Sequence, residues 1–510
     1  MARQKAPVRP SVHDLVAGVS VAAVLIPQAV AYALLAGLPP SSGLLAAAAA
    51  PIAASFFASS PYLATGPVAI TSLLVLGGLA GLAPTETSEY VQLAALLAVF
   101  VGAVRLALGL ARAGVLAYLM SQPVLVGFTS AAGLIILLSQ VPSLLGVSAT
   151  TSSPVTSALA ALGDPGAWSA SAVAFGLVTV AAMLLVRRLP ATFPIVPIIV
   201  VLAIVLSSST GLGGPQVGEL PVATPPNPLD LPWSSTGALL VPAVVIALVG
   251  FAEPVAISRR LAAETRQHWS PDRELVSQGA ANLASGLVGG YPVGGSFSRS
   301  MLNRLAGART RWSGTVTGLT VLAILPLTMW LATLPKAVLA GIVIAAVVKL
   351  VDPRPVIEFW RLSKVQFGVA ATTFVATLAL APRVDIAVIL GIGLAAVVHL
   401  WRELQLKVDV EVEGHTLHVH PAGVLYFASA PSLEQRVNDL LADNPDVTRL
   451  LVHLEKLGRV DVTGALSLRE LLDEARSAGI DAGVCDVPPS LQRIVGTVLA
   501  GHRVDILTDD

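Results

Sequence analysis

Residues 291–300 read YPVGGSFSRS and residues 64–72 read ATGPVAITS. Each carries glycine, proline and hydroxyls, and each opens an apolar stretch too short for an ordinary spanning helix. A membrane span needs roughly 20 apolar residues, fewer where a helix is broken and buried in protein. Short Gly/Pro-interrupted segments at corresponding places in two halves of a chain point to inverted repeats meeting at a binding site. The spacing agrees: Gln28 lies 38 residues before Gly66, and Glu253 lies 41 before Gly294. This predicts two repeats of about seven segments each, roughly 13–210 and 237–402.

The rest of the chain fits that frame. Of 510 residues, 55% are hydrophobic and only 12% charged, with a mean hydropathy of +0.78. Soluble domains carry about 25% charged residues, so most of this chain does not face water. From about residue 405 the apolar runs stop and charge becomes frequent, which marks a soluble tail. The basic start MARQKAPVRPSVHD leads into an apolar stretch too long for a signal peptide, and many more follow, so it is a first span.

Hydropathy predicts about fourteen segments: 13–35, 43–59, 66–82, 90–110, 118–142, 168–187, 190–209, 237–258, 273–290, 296–304, 312–334, 336–351, 365–381 and 384–402. Basic residues test the order, because cytoplasmic loops collect Lys and Arg. Arg3, Lys5 and Arg9 precede the first segment; Arg105 and Arg112, Arg187 and Arg188, Arg259, Arg260, Arg266 and Arg273, Arg304, Arg309 and Arg311, then Lys349, Arg354, Arg361 and Lys364 follow alternate ones, and Arg402 closes the last. Residues 146–167 and 210–236 hold no Lys or Arg; Lys336 and Arg383 break the rule. The pattern predicts a multi-pass protein of the cell (inner) membrane, with both termini cytoplasmic and residues 1–12 as the cytoplasmic N-terminus. Zero net charge gives no reason to expect a nucleic-acid partner. The single cysteine, Cys485, excludes an internal disulfide and a cysteine metal site, and is read as a buried small residue.

Charge within the bilayer costs roughly 2.5–3.5 kcal/mol on insertion scales, so it survives where it pairs or lines a cavity. Arg299 and Glu253 stand out. If Gly294 and Gly295 end a loop and Ser296 caps a half-helix, its N-terminus offers open amides and a positive dipole end. Phe297 opens that helix, Ser296, Ser298 and Ser300 add hydroxyls, and Arg299 adds a planar donor fork. Thr65, Gly66 and Pro67 would supply amides from the opposite side. That set suits an oxyanion. Glu253 is a candidate proton carrier, since burial and a nearby guanidinium act in opposite senses on a carboxylate's proton affinity. Gln28, at the matching place in the first repeat, either donates to the anion or bonds to backbone. No nucleophile–base pair or metal cluster points to an enzyme, and no cofactor is implied.

The run PQAVAYALLAGLPPSSGL (residues 27–44), with TGPVAITSLLV from Thr65 and GGSFSRSMLNRLAGARTRWSG from Gly294, resembles the SulP anion transporters, the sulfate permeases. The tail resembles a STAS domain. The resemblance implies an all-α polytopic fold of fourteen spans in seven-plus-seven inverted repeats, uracil-transporter-like. In it, core segments 1–4 and 8–11 move against gate segments 5–7 and 12–14. It places the anion between segments three and ten, maps the serine–arginine site to Ser296, Ser298, Arg299 and Ser300, and maps the acidic position to Glu253. It further implies proton symport, since members with Glu in a context like FAEPVAISRRLA are similar to proton-coupled ones, while Ile257 stands where sodium-using members carry a hydroxyl; it also implies a homodimer. Sulfate is the first substrate expected, with fumarate-like dicarboxylates, bicarbonate or chloride as alternatives. A nucleobase carrier is disfavoured by Arg299, and a channel or sensor would fail to concentrate its solute.

The tail, residues 408–510, alternates strands (HTLHVH, VLYFAS, RLLVHLEKL, DAGVCDV) with helices (SLEQRVNDLLA, GALSLRELLDEARSAG, SLQRIVGTVLA), predicting a small α/β domain that could receive a cytoplasmic partner. Asp461-Val462-Thr463-Gly464 resembles the STAS motif, whose phosphorylatable hydroxyl falls on Thr463, although capping by Asp461 and Thr463 is the simpler reading. His415, His418 and His420 are read as solvated strand histidines and not as metal ligands.

Overall fold

The computed structural model describes residues 10–82, 87–115, 121–148, 153–186, 189–190, 192–218, 225–352, 354–404, 406–501 and 503–506. Arg3, Lys5, Arg9, Arg187 and Arg188 of the charge pattern lie outside the described residues. The chain divides into two compact units, Met1–Gly393 and Leu394–Asp510.

The first unit is helical: α1 (Val12–Leu35), α2 (Pro40–Phe57), α3 (Ala69–Leu79), α4 (Thr87–Leu110), α5 (Gln122–Leu145), α6 (Pro154–Gly163), α7 (Ala170–Leu185), α8 (Ile195–Thr210), α9 (Thr236–Thr265), α10 (Pro271–Leu287), α11 (Phe297–Leu305), α12 (Trp312–Ile324), α13 (Lys336–Val347), α14 (Arg354–Leu362), α15 (Lys364–Ala379) and the start of α16 (Val384–Leu404). Each expected segment overlaps one of these helices, and the segment expected at 312–334 is α12 continued by a 3-10 stretch, Leu325–Thr333. The amphipathic α14 and the short α6 were expected as loops. Among the described residues, seven helices are long and apolar enough to cross a membrane, and several shorter apolar ones accompany them.

The local signals are ordinary. Ser11 begins α1 through a capping box: its hydroxyl accepts from the Asp14 amide while Asp14 accepts from the Ser11 amide. Gly146 and Gly211 end α5 and α8 in the left-handed conformation. What departs from a water-soluble helix is polarity. On α8, Val196, Val200, Ala203 and Ser207 face the protein, yet Val201, Leu202, Val205 and Leu206 on the other side are at least half exposed and equally apolar. A helix apolar all round is suited to lipid on its outer face.

Packing comes in matched pairs. α2 lies on α12 as α4 lies on α10, and α1 lies on α11 as α3 lies on α9. Close approach is bought by small residues: a Cβ on Gly43 would fall 2.1 Å from the Ala29 carbonyl oxygen, and one on Gly318 would fall 2.4 Å from that of Ala48.

The second unit holds a sheet in the order β3 (Lys407–Glu413), β4 (Thr416–Leu425), β5 (Arg449–His453), β7 (Asp481–Val487), β8 (Arg503–Ile506), with β6 (Leu457–Val460) also on β4. β3–β4 is antiparallel and the other pairs are parallel. Helices α17 (Ala430–Asp443), α18 (Val462–Ser477) and α19 (Gln492–Val498) bury Leu433, Val437, Leu468, Leu472 and Val495 with Leu417, Val419, Leu450, Val452 and Val484 of the strands. Three details correct the expected pattern. β3 was not anticipated, because KVDVEVE is rich in charge and mostly exposed. Residues 426–429 are a turn into α17 and not strand, since Ser429 bonds back to the Tyr426 amide. RLLVHLEKL splits between β5 and β6. Cys485 is buried.

Candidate functional site

Two tiny strands build the site. β1 (Thr65–Gly66) pairs antiparallel with β2 (Gly294–Gly295), in register Thr65 with Gly295 and Gly66 with Gly294. The Ser296 amide donates to the Ala64 carbonyl (3.1 Å), and the Ala64 amide donates to the Ser300 hydroxyl (2.9 Å), extending the clasp. Each strand runs straight into a helix, so the N-termini of α3 and α11 are held side by side. Gly295 permits this approach, because a Cβ there would lie 2.7 Å from Leu63 Cδ1.

Neither cap-position residue, Val68 or Ser296, caps its helix with its own side chain. The expectation that Ser296 caps α11 is corrected: Ser296 occupies the cap position, but its hydroxyl turns to that of Ser298 at 3.3 Å. The amides opposite are also shifted. Helical N–H groups begin at Ala69; Thr65 and Gly66 are committed to the strand pair, and Pro67 has no N–H to give. The Thr65 hydroxyl accepts from Gln278 (2.7 Å).

Arg299 is 1% exposed, so its side chain is held inside the protein and does not reach the surface. Its Nη1 donates to Gln28 Oε1 at 2.9 Å and its Nη2 to the Pro67 carbonyl at 2.8 Å, while Nε is buried without a partner. Thr71 Oγ1, in the first turn of α3, is a second buried polar atom without one. Both partners of Arg299 are neutral, and among the described residues no carboxylate stands within ion-pairing distance of it. No direct ion pair therefore cancels the charge of this buried guanidinium. Glu253 on α9 lies beside the Phe297 amide at the head of α11, within electrostatic range of Arg299. Arg260, two turns after Glu253 on α9, pairs with Glu264 at 2.9 Å and lies over the Phe297 ring. Ser298 and Phe297 are exposed, so one side of the site is open.

Several contributors escape the reading of motifs. Tyr32, one helical turn after Gln28, and Tyr291 lie within electrostatic reach of Arg299; the Gln28–Tyr32 spacing was the available signal. Arg105, expected in a cytoplasmic loop, is instead inside α4 and 0% exposed. It donates to the carbonyls of Ile246, Ala247 and Val293 at 3.0–3.1 Å, tying α4 to α9 and to the approach of β2. Its long stem reaches inward, which a charge count along the sequence cannot show. α10 carries a buried polar stripe, Glu274, Ser277, Gln278, Asn282 and Ser285, at helical spacing. From it Asn282 accepts from the Val293 amide (2.9 Å) and Glu274 from the Ser59 and Ser60 amides (3.2 and 2.9 Å). Asp14 holds the turn between α11 and α12 in the same way, accepting from the Arg309 and Thr310 amides at 2.8 Å.

In the second unit, Asp461 alone caps α18, accepting from the Gly464 amide at 2.6 Å, and Thr463 is exposed. Gly464 is required there because a Cβ would meet the Leu425 carbonyl at 2.4 Å.

Comparison with known proteins agrees with this architecture. A model of the sulfate permease family matches residues 12–373, and one of the STAS domain matches residues 407–502. The chain is 30% identical to the chloroplastic sulfate transporter 4.1 of Arabidopsis thaliana, over 92% of this chain and 74% of that protein. It is 31% identical to a probable sulfate transporter of Mycobacterium tuberculosis, over 98% of this chain and 92% of that one. Murine Solute Carrier 26 family member A9, an anion transporter in the inward-facing state, superposes with a TM-score of 0.87 at 21% identity, covering 99% of this chain and 91% of that chain. The fold is that of a multi-pass membrane transporter and not of an enzyme. With the family model covering α1 to α15 and the tail matched separately, the chain belongs to the sulfate permease family and carries a STAS domain.

Proposed function

We propose that this protein takes up sulfate together with protons by alternating access, binding the anion between the heads of α3 and α11. One observation carries the reading: the strand pair of Thr65–Gly66 with Gly294–Gly295 brings the N-termini of α3 and α11 together around a buried guanidinium whose two hydrogen-bond partners, Gln28 and the Pro67 carbonyl, are neutral. Helix N-termini and arginine both favour an oxyanion, and in a low-dielectric site the attraction is weakly screened. Direct contacts come from the hydroxyls of Ser296 and Ser298, the Ser298 amide and the Arg299 charge, with Glu253 beside the Phe297 amide. Thr65, Gly66, Pro67, Gly295, Ser300 and Gln28 hold those groups in place. The matched helix pairs and the antiparallel strands support two inverted repeats of about seven spans each within residues 13–402, with residues 408–510 as a cytoplasmic regulatory domain.

Glu253 is the proton carrier in this reading: a carboxylate beside the anion site senses whether the site is filled. Ile257, one turn on, is buried and apolar and offers no oxygen to a sodium ion. The test is uptake into proteoliposomes of labelled sulfate, fumarate and bicarbonate, with proton or sodium gradients imposed separately. Sulfate accumulation driven by an inward proton gradient is expected. Accumulation that ignores the proton gradient, or that follows fumarate or bicarbonate instead, would replace the coupling or the substrate.

A further inference from the structure

The face of the STAS-unit sheet turned away from its helices gathers imidazoles and carboxylates. Along β4 and β5, Val419 and Val452 point into the core while His418, His420 and His453 point out, half-buried. The His420 and His453 rings stack at 4.2 Å, and one ligand atom each from His420, His453 and Glu455 lie within 4.8 Å of one another. His418 Nδ1 is 2.9 Å from His453 Nε2. His453 Nδ1 is bonded to Asp486 on β7, and His420 Nδ1 to Glu455 at 2.9 Å.

We propose that this cluster is a binding site for a divalent transition metal of the zinc type, with His420, His453 and Glu455 as ligands, His418 completing the set and Asp486 orienting His453. A carboxylate can only accept, so Asp486 fixes the proton of His453 on Nδ1 and leaves the Nε2 lone pair facing the cluster. That carboxylate–histidine arrangement is the support that metal-binding imidazoles use. Asp486 reaches it from a left-handed backbone (φ 56°), a conformation that Asp tolerates better than most residues. Tetrahedral zinc with bonds of about 2.0–2.1 Å holds its ligand atoms about 3.3 Å apart. Rotation of these partly exposed side chains closes the remaining distance, on a frame of paired strands that need not move. Imidazole and carboxylate donors without thiolate suit Zn2+, Cu2+ or Ni2+ over Ca2+ or Mg2+. His415 stands apart, bonded through Nδ1 to the Asp446 carbonyl at 2.8 Å.

The experiment uses the full chain, purified in detergent through a histidine-free tag, stripped with chelator and dialysed against zinc. Bound metal is measured by mass spectrometry, and affinity by competition with a chromophoric chelator. About one zinc per chain is expected for the four-ligand site. His420→Gln and Glu455→Gln remove stoichiometric binding, His415→Ala leaves it unchanged, and Asp486→Asn weakens it about ten- to a hundredfold. Cobalt substitution should give the visible absorption of a tetrahedral nitrogen–oxygen site. Absence of stoichiometric zinc in the wild type, or equal uptake by the His420→Gln/Glu455→Gln double variant with an unchanged melting curve, overturns the assignment. Because both of those side chains are partly exposed, their variants decide the matter even if His453→Ala fails to fold.

Discussion

Arg299 on α11 donates to the side-chain oxygen of Gln28 on α1 at 2.9 Å, joining residues 271 positions apart. The acceptor is a neutral amide, so the bond fixes the guanidinium without cancelling its charge. A carboxylate at the same place would do both. Gln28→Glu is therefore expected to keep or raise the melting temperature while weakening sulfate binding at least about tenfold, since a close ion pair removes the field that an anion needs. Isothermal titration and a thermal melt on the same sample check it. Full affinity in the variant would mean that the anion does not depend on this charge.

Arg299→Lys separates charge from geometry. Lysine keeps the positive charge but cannot bond Gln28 and Pro67 through a planar fork, and its ammonium is more strongly hydrated. Sulfate affinity should fall about tenfold or more, and Arg299→Ala should show no saturable binding while still eluting as a folded particle. Titration with labelled sulfate distinguishes the two. Unchanged affinity in Arg299→Ala would remove this residue from the site.

The placement of helices was legible because apolar runs and Gly/Pro punctuation are local signals. Short α3 and α11 announced themselves by their length and by the glycines before them. The pairing of Thr65 with Gly295 was not legible, because it joins residues far apart in sequence through backbone bonds, which side-chain patterns do not report. Arg105 shows the same limit: a basic residue near the end of an apolar run looks like a loop residue until burial is known. The α10 stripe from Glu274 to Ser285 had a readable helical period, yet most of its partners are backbone groups that no pattern of side chains reveals. In the tail, the histidines of β4 were visible, but His453, Glu455 and Asp486, which turn them into a cluster, come from other strands and their ends.

Arg105→Met tests the buried clamp. The substitution preserves most of the apolar stem and deletes three bonds to the carbonyls of Ile246, Ala247 and Val293. Each buried acceptor left unpaired costs about 1–3 kcal/mol, so the melting temperature should drop sharply and transport should fall with it. A true loop arginine would tolerate the change within about 0.5 kcal/mol. Scanning fluorimetry in detergent decides between them.

Glu253→Gln removes the ionisable group beside Phe297 while keeping its shape. Uptake should cease to respond to an imposed pH gradient, and exchange of internal for external sulfate should persist. Proteoliposome fluxes with and without the gradient measure both. Proton-driven accumulation surviving in the variant would clear Glu253 of the coupling role.

Two glycines predict opposite outcomes for the same substitution. Gly43 lies where α2 crosses α1, and a Cβ there would sit 2.1 Å from the Ala29 carbonyl oxygen and 2.8 Å from its carbon. Backbone cannot rotate away as a side chain can, so Gly43→Ala must push the two helices apart, at a cost of about 1–3 kcal/mol or more. Gly368 lies within α15, and a Cβ there would meet nothing within 4 Å. Gly368→Ala should leave packing alone and favour the helix by roughly 0.5–1 kcal/mol, because alanine loses less backbone freedom. Melting curves of the two variants should therefore shift in opposite directions. Equal shifts would mean that the α1–α2 crossing is looser than the Gly43 contact requires.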